Sequence, residues 1–140
     1  MSPALRPSEY TAALIQVLRA RAAWVRGANA LEIGSGSGVV LAALGALGAA
    51  SLCGIDIESE AVSSSALLLR GLGHGANARM YHGDMWLPVT GRRFDLITAN
   101  LPGSVRKVLQ KPLRRWSWYA GDWAITGSFG EDAHHDQEAG

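Results

Sequence analysis

The stretch Leu31–Val40, with the sequence LEIGSGSGVV, decides the fold of this chain. It begins as an apolar strand that carries one acid, Glu32, and continues into a turn that contains Gly34, Gly36 and Gly38. Glycine permits a sharp turn and lets a ligand lie against bare backbone. A helix is predicted to begin near Gly38, with the N–H groups of its first turn facing that ligand. The stretch therefore predicts a strand, a ligand-binding loop and a helix.

Alternating helix and strand patterns extend outward from this loop. Strands that alternate with helices predict parallel βαβ units, and the continuous apolar run in the second strand is typical of a sheet covered on both faces. We therefore expect an α/β fold with a doubly wound, mostly parallel sheet and helices on both faces. The predicted helices are 7–25, 38–47 and 59–72, and the predicted strands are 30–33, 51–57, 78–82, 94–99 and a short one at 123–126.

Composition restricts the class of protein. The chain has 140 residues, a hydrophobic fraction of 48% and a net charge of +1, which favours one globular domain without a global field toward nucleic acid or membrane. We expect the domain to span residues 1–128 and the polar segment 129–140 to be disordered. No apolar run is long enough to predict a membrane span. Cys53 is the single cysteine, which excludes an internal disulfide and fits a cytoplasmic location.

Four polar residues fall at or just after predicted strands, namely Glu32, Asp56, Asp84 and Asn100. Ligands of such sheets bind outside the carboxyl ends of the strands, so these residues are expected to meet at one edge. A carboxylate at Asp56 can accept both hydroxyls of a ribose, as it does in dinucleotide folds. A carboxylate at Asp84 can accept from an adenine amino group, with Met85 against the ring. The pattern predicts a nucleoside site.

Residues 6–102 resemble the class I methyltransferases that depend on S-adenosylmethionine (SAM), and within that class the release-factor glutamine methyltransferase family (HemK-like). The resemblance implies a Rossmann-like fold, SAM as the cofactor and a methyl acceptor, here a protein, as the partner. It implies that Glu32 and the three loop glycines hold the methionine part and ribose of SAM. It also assigns Asp56, with Ile57 beside it, to the ribose, and Asp84 and Met85 to the adenine.

The same resemblance assigns catalysis to Asn100, Leu101 and Pro102, which lie where the family has Asn-Pro-Pro-Tyr. The Asn100 side-chain oxygen and the Leu101 carbonyl can accept both N–H bonds of a planar amide. That would aim the nitrogen lone pair at the methyl group, so catalysis would be mostly orientation. The chain departs from the pattern, because Leu101 replaces a proline and Gly103 replaces the aromatic residue. The expected reaction is N-methylation of a protein glutamine or a similar planar nitrogen.

Only about 40 residues follow Asn100. Relatives in the family continue with a fifth strand and a final antiparallel pair, and the sequence predicts that these C-terminal strands are missing. The fourth strand would then be an exposed edge, which favours association.

Three alternatives remain open from the sequence. The acceptor can be RNA or a small molecule, and the basic run 106–115 beside several aromatic residues is the feature that favours nucleic acid. The domain can instead be a non-catalytic SAM-binding module. An NAD(P)-dependent oxidoreductase is disfavoured by the glycine spacing. No metal site is expected, since His134 and His135 lie in the polar tail.

Overall fold

The computed structural model describes residues 9–84, 87–100, 116–120 and 123–127, which form one six-stranded sheet with its helices. The predicted tail at 129–140, and His134 and His135 within it, lie outside the described residues. The elements in chain order are α1 (Glu9–Ala20), α2 (Ala22–Val25), β1 (Asn29–Ile33), α3 (Val39–Ala46), β2 (Ser51–Asp56), α4 (Ser59–Gly71), β3 (Ala78–His82), a 3₁₀ helix (Leu87–Val89), β4 (Leu96–Asn100), β5 (Trp116–Ala120) and β6 (Trp123–Gly127).

The strand order is β3-β2-β1-β4-β6-β5, and the first four strands are parallel. This confirms the predicted α/β fold. The chain runs from β1 to β2 on one side and reaches β4 on the other, so the order reverses between β1 and β4. Ligands of open α/β sheets bind at the carboxyl ends beside such a reversal. Glu32 lies there, in register with Gly54 on β2 and Thr98 on β4.

The sheet buries a separate apolar cluster on each face, because successive strand residues point to opposite sides. One cluster joins Ala30, Leu52 and Leu96 of the strands to buried residues of α1, α3 and α4. The other joins alternate strand residues, including Leu31 and Ile33, to the 3₁₀ helix and to the turn that precedes β4. Both faces of the central strands are therefore out of water, as their continuous apolar runs predicted.

Gly54 is a position on β2 where side chains of α3 and β3 pack closely against the strand backbone. A Cβ atom there would lie 2.7 Å from Cδ1 of Leu41 and would also overlap the side chain of Met80. The absence of a side chain at Gly54 thus brings α3 down onto β2, and α3 follows directly from the glycine loop. This packing of α3 on β2 helps to position the loop at the carboxyl edge of the sheet.

The prediction of one continuous helix from 7 to 25 is wrong. Arg21 has φ −120° and ψ 45°, which ends α1 before the four-residue helix α2 begins. The reorientation leaves Val25 fully buried, while the guanidinium of Arg21 lies 5.0 Å from the centre of the Trp24 ring. Burial of Val25 at the entrance to β1 accounts for the break better than local sequence, since neither glycine nor proline occurs in this turn.

The expectation that the final antiparallel pair is missing is also wrong. β6 pairs antiparallel with β4, with Thr98 opposite Ile125, and β5 pairs antiparallel with β6. The backbone groups of β4 are therefore covered by a hairpin, and β4 is not an exposed edge. No parallel fifth strand occurs among the described residues. Nor does any helix within those residues combine the length and the apolar character needed to cross a bilayer.

Candidate functional site

The carboxyl edge of the sheet gathers the residues that the sequence singled out. Glu32 is the fourth residue of β1, Asp56 is the last of β2, and Asp84 follows β3 by two residues. The backbone of Asn100 ends β4, one position beyond the pair Ile33–Ala99. The residues that were predicted to bind a nucleoside therefore lie at the same edge as the glycine loop and the end of β4.

The loop between β1 and α3 adopts a backbone that favours glycine. Gly34, Gly36 and Gly38 have φ of +80°, +53° and +87°, a region that L side chains rarely enter. The N–H groups of Gly34 and Ser35 donate to the Ile55 carbonyl at 2.8 and 3.0 Å, which ties the loop to the end of β2. Helix α3 then begins at Val39, as predicted, with its first-turn N–H groups at the same edge.

Asp56 anchors this loop directly. Its Oδ2 accepts the N–H of Gly36 at 2.9 Å, and its Oδ1 accepts the N–H of Glu58 at 2.9 Å, just before α4 begins. One carboxylate therefore connects the glycine loop to the start of the next helix. The sequence predicted a ligand-binding acid at this position, but it gave no sign of the bond to Gly36.

Ser65 is a second loop anchor, which the sequence analysis missed. It is fully buried on α4, and its Oγ donates to the Gly36 carbonyl at 2.9 Å. Gly38 packs against the same serine, because a Cβ at Gly38 would lie 3.0 Å from the Ser65 Cα. Ser65 lies in a run of three serines, and nothing local distinguishes the buried one from its exposed neighbours.

Glu32 is the buried carboxyl of the site, and burial disfavours its ionised form. Its side chain is 2% exposed, and its Oε1 has no hydrogen-bond partner. Burial, and secondarily the negative charge of Asp56, raises the pKa of the Glu32 carboxyl well above its ordinary value. Two further buried hydroxyls also lack a partner, namely Ser35 Oγ and the Oγ1 of Thr98, which is in register with Glu32 on β4. Buried polar atoms are ordinarily hydrogen-bonded, so these atoms indicate a polar group that completes them.

Ile57 and Asp84 form the outer part of the edge. The Ile57 side chain is 63% exposed directly after Asp56. Its carbonyl accepts a hydrogen bond from Nε2 of His82 at 2.8 Å, which links the end of β2 to the end of β3. Asp84 is exposed, and its carbonyl accepts the N–H of Leu87 at 3.1 Å. An apolar surface and a carboxylate are thus available beside the loop.

The predicted catalytic segment is described only in part. The backbone of Asn100 lies at the carboxyl edge, opposite Trp123 of β6. Leu101 and Pro102 lie outside the described residues, as does Met85, which was assigned to the adenine.

A doubly wound sheet with a glycine loop and an acid at the end of β2 defines a nucleoside-binding domain of the Rossmann-like class. Residues 30–116 match the family model described as a methyltransferase domain. This match covers more than half of the chain. The chain therefore belongs to the methyltransferase domain family, which confirms the class predicted from its motifs.

Curated relatives and solved structures agree with this assignment. The ribosomal protein L11 methyltransferase of Methylobacillus flagellatus is 30% identical over 107 residues, which are 75% of this chain and 34% of that protein. The ribosomal protein L11 methylase structure from Lactobacillus delbrueckii subsp. bulgaricus superimposes with a TM-score of 0.61 at 18% identity, over 86% of this chain and 79% of that one. A dimethyladenosine transferase from Plasmodium falciparum gives a TM-score of 0.61 at 28% identity, over 74% of this chain and 37% of that one.

The chain spans about a third of the length of the curated relatives it matches. Those relatives are named for ribosomal protein L11 and not for release factors, so the methyltransferase class is confirmed without the HemK-like subdivision. SAM is the cofactor of this class. The residues present fit it, because an unpartnered buried carboxyl at Glu32 suits a cationic group and a carboxylate at Asp56 suits ribose hydroxyls.

Proposed function

We propose that this chain is the SAM-binding and methyl-transferring domain of a methyltransferase whose acceptor is a nitrogen of a protein. The observation that carries the proposal is Glu32, a buried carboxyl with an unpartnered oxygen, below a loop of positive-φ glycines. A buried acid without a partner costs free energy unless a ligand completes it. A cationic amine, such as the ammonium group of SAM, would do so.

The cofactor roles follow from what each residue presents at the edge. Glu32 would accept from the ammonium group, and the bare backbone of Gly34, Gly36 and Gly38 would line the methionine part. Asp56 would accept from the ribose hydroxyls while it keeps the loop in place. The support for this role is the position of the carboxylate at the end of β2, where dinucleotide-binding folds place the acid that binds the ribose, and its contact with the glycine loop through the N–H of Gly36.

The adenine ring of SAM would lie farther out along the carboxyl edge of the sheet. The exposed Ile57 side chain offers an apolar surface for one face of an adenine ring, with Met85 assigned to the ring as well. Asp84 is exposed and would accept from the amino group of the base. His82 supports this arrangement indirectly, because its bond to the Ile57 carbonyl fixes the backbone that presents Ile57.

For the transfer step we propose that Asn100 orients the acceptor. When bound, SAM supplies a methyl group on a positively charged sulfonium. The Asn100 amide oxygen and the Leu101 carbonyl would accept N–H bonds of the acceptor, with Pro102 restricting the chain after them. The residues then contribute proximity and orientation, and no strong base is required to form the N–C bond. As the N–C bond forms, the bond between sulfur and the methyl group would break, S-adenosylhomocysteine would leave as a neutral thioether, and the proton lost from nitrogen would pass to solvent.

A protein acceptor is favoured over a nucleic acid by the charges of the carboxyl edge. Asp56, Glu58, Glu60 and Asp84 all lie there and would repel a phosphate backbone. Relatives named as ribosomal protein L11 methyltransferases support a protein acceptor, and the Asn100 motif favours an amide such as glutamine. The alternative of a nucleobase amino group has its support in the likeness to a dimethyladenosine transferase.

The test is a calorimetric titration with SAM and with S-adenosylhomocysteine, followed by transfer of a radiolabelled methyl group. We expect micromolar binding of both, and labelling of peptides that contain glutamine or another side-chain nitrogen in preference to RNA. Preferential labelling of RNA would contradict the proposed protein acceptor and leave the proposed cofactor unchanged. Binding without turnover on any pool would indicate a non-catalytic SAM-binding module. A folded chain that binds neither compound would contradict the proposal as a whole.

The affinity for SAM is expected to rise with pH. Because burial raises the pKa of Glu32, protonation of its carboxyl competes with a cationic ligand up to a higher pH than it would at an exposed glutamate. Affinity should increase as pH rises through that pKa and fall again where the ammonium group of SAM loses its own proton. Asp56 is the charged group that faces Glu32, and its negative charge acts in the same direction. Calorimetry in buffers of different ionisation enthalpy should detect proton release on binding.

Glu32→Gln is the matched variant for this measurement. It keeps the shape of the side chain and removes the titrating proton, so binding should become weaker and lose both the proton release and the rise with pH. An unchanged pH profile in Glu32→Gln would assign the effect to another group.

A further inference from the structure

The charged residues of the described chain are separated along the strand axis. The acids Glu32, Asp56, Glu58, Glu60 and Asp84 lie at or beyond the carboxyl ends of the strands. Most arginines of the described residues lie toward the opposite side, at helix ends and turns near the amino ends of the strands, and Arg79 is the second residue of β3. We call this second side the amino edge. Its exposed arginines are Arg19, Arg21, Arg26, Arg70, Arg79, Arg92 and Arg93. The guanidinium of Arg92 lies 5.0 Å from the centre of the Phe94 ring.

The topology of the fold places four of these arginines at the amino edge. Arg19 and Arg21 lie at the end of α1, and Arg26 precedes β1. Helix α4 starts beyond the carboxyl end of β2 and returns to the amino end of β3, which places Arg70 of its last turn at the amino edge. The N–H of Gly27 donates to the Gly48 carbonyl at 2.9 Å, so the loop at Arg26 lies against the loop that precedes β2.

The two edges act as separate electrostatic surfaces. A strand of five residues spans about 17 Å. The Debye length at physiological ionic strength is about 8 Å, so the acids of the carboxyl edge barely offset the arginines. Asp95 is the one acid at the amino edge among the described residues, and its Oδ2 accepts the N–H of Asn29 at 2.9 Å. The amino edge therefore presents a net positive field although the whole chain has a net charge of only +1.

An aromatic side chain accompanies this charge. Trp24 is 39% exposed on α2, and the Arg21 guanidinium lies 5.0 Å from the centre of its ring. Between residues 9 and 100 the chain uses arginine for these positions and contains no lysine. Arginine offers a planar fork that matches phosphate and stacks on rings and bases, whereas lysine is a point charge. Cations beside a stacking ring are typical of surfaces that bind single-stranded nucleic acid.

We propose that the amino edge binds a single-stranded nucleic acid through its phosphates, with Trp24 stacking on a base. The bound strand is not the methyl acceptor, because the acceptor enters at the opposite, acidic edge. The surface instead docks the domain on a single-stranded nucleic acid, while the methyl acceptor binds at the carboxyl edge. Binding of nucleic acid at the amino edge does not depend on the proposed function, whereas the statement that the strand is not the acceptor rests on the proposed entry of the acceptor at the carboxyl edge.

The test is fluorescence anisotropy of the full chain with labelled oligouridylate and oligothymidylate over a series of KCl concentrations. Each contacted phosphate should contribute about 0.7 to the slope of log affinity against log salt. Arg26→Gln/Arg70→Gln should lower that slope by about 1.4 and the affinity by about 25-fold at about 0.1 M salt. Trp24→Leu should weaken binding about tenfold, the value of one lost base stack. A preference for the RNA or the DNA oligomer would identify the natural strand.

Arg26→Lys/Arg70→Lys is the matched control, since it keeps both charges and should keep most of the slope. Binding of SAM should be equal in all variants, which shows that the domain is folded. The inference is overturned if the wild-type chain binds neither oligomer. It is also overturned if Arg26→Gln/Arg70→Gln binds as tightly as wild type. That result would assign the binding of nucleic acid to the basic run 106–115. Sedimentation with phosphatidylserine vesicles in preference to the oligomers would assign the edge to a membrane surface and overturn it as well.

Discussion

Asp56→Ala is expected to weaken SAM binding by roughly 100-fold or more while the domain still folds. Asp56 accepts the N–H of Gly36 with one oxygen and the N–H of Glu58 with the other. A hydrogen bond to a charged group contributes about 1.5–3 kcal/mol, and two are lost together. The glycine loop would lose its tie to the start of α4, and the ribose would lose its proposed acceptor.

Folding should survive because the loop keeps its other contacts. Gly34 and Ser35 remain bonded to the Ile55 carbonyl, and Ser65 still donates to the Gly36 carbonyl. The apolar clusters on both faces of the sheet do not include Asp56. Thermal unfolding followed by circular dichroism should therefore show a cooperative transition, and calorimetry should show the lost affinity.

Glu58→Ala is the control for this variant. Glu58 takes part through its backbone N–H, which alanine retains, and its side chain is exposed. It removes a carboxylate two residues away from Asp56 and should leave SAM binding within a few-fold of wild type. Equal affinity in Asp56→Ala and wild type would show that the acid at the end of β2 holds neither the loop nor the ribose. Equal losses in the two variants would point to the charge of the edge as a whole.

The sequence predicted the part of the site that depends on local pattern. The strand, the glycine turn and the start of α3 all follow from Leu31–Val40, because the apolar run and the spaced glycines act within a few residues. The position of Asp56 at a strand end was equally local. Its bond to Gly36 joins residues twenty apart in the chain and depends on the parallel pairing of β1 with β2.

Other features depended on packing between distant segments. Ser65 reaches Gly36 from twenty-nine residues away, and only the docking of α4 selects it from its neighbours. Thr98 is adjacent to Glu32 only because β4 pairs with β1. These contacts cannot be recognised from the residues next to them in the chain. A pattern of apolar and polar residues predicts which side chains are buried, but not which distant residue each one contacts.

The hairpin of β5 and β6 was underestimated for a similar reason. A short strand was predicted at 123–126, where β6 spans Trp123–Gly127, but Trp116–Ala120 follows a basic run and has no clear pattern of its own. Strand formation depends strongly on the partner strand, and here β4 supplies an apolar neighbour for β6. The edge of β4 is therefore covered by a hairpin of which the sequence predicted only the second strand.

Asn100→Ala is expected to leave SAM binding unchanged and to reduce methyl transfer by roughly 100-fold, the effect of losing the orientation of a reacting group. The backbone of Asn100 ends β4 at the carboxyl edge, next to the strand that leads into the glycine loop. In the proposed step its amide oxygen accepts one N–H of the acceptor. Without it the nitrogen lone pair is no longer aimed at the methyl group, while the cofactor contacts, which come from other residues, persist.

The measurement compares calorimetric affinity for SAM with the rate of labelling of the acceptor pool on which the wild-type chain is active. Asn77→Ala is the matched control, because it makes the same chemical change at the amino edge, where its side chain donates to the Ala50 carbonyl. It should retain both binding and turnover. Asn100→Ala with wild-type turnover would remove Asn100 from the reaction. A parallel loss of SAM affinity would instead make it a cofactor residue, and the orientation of the acceptor would then have to come from elsewhere on the edge.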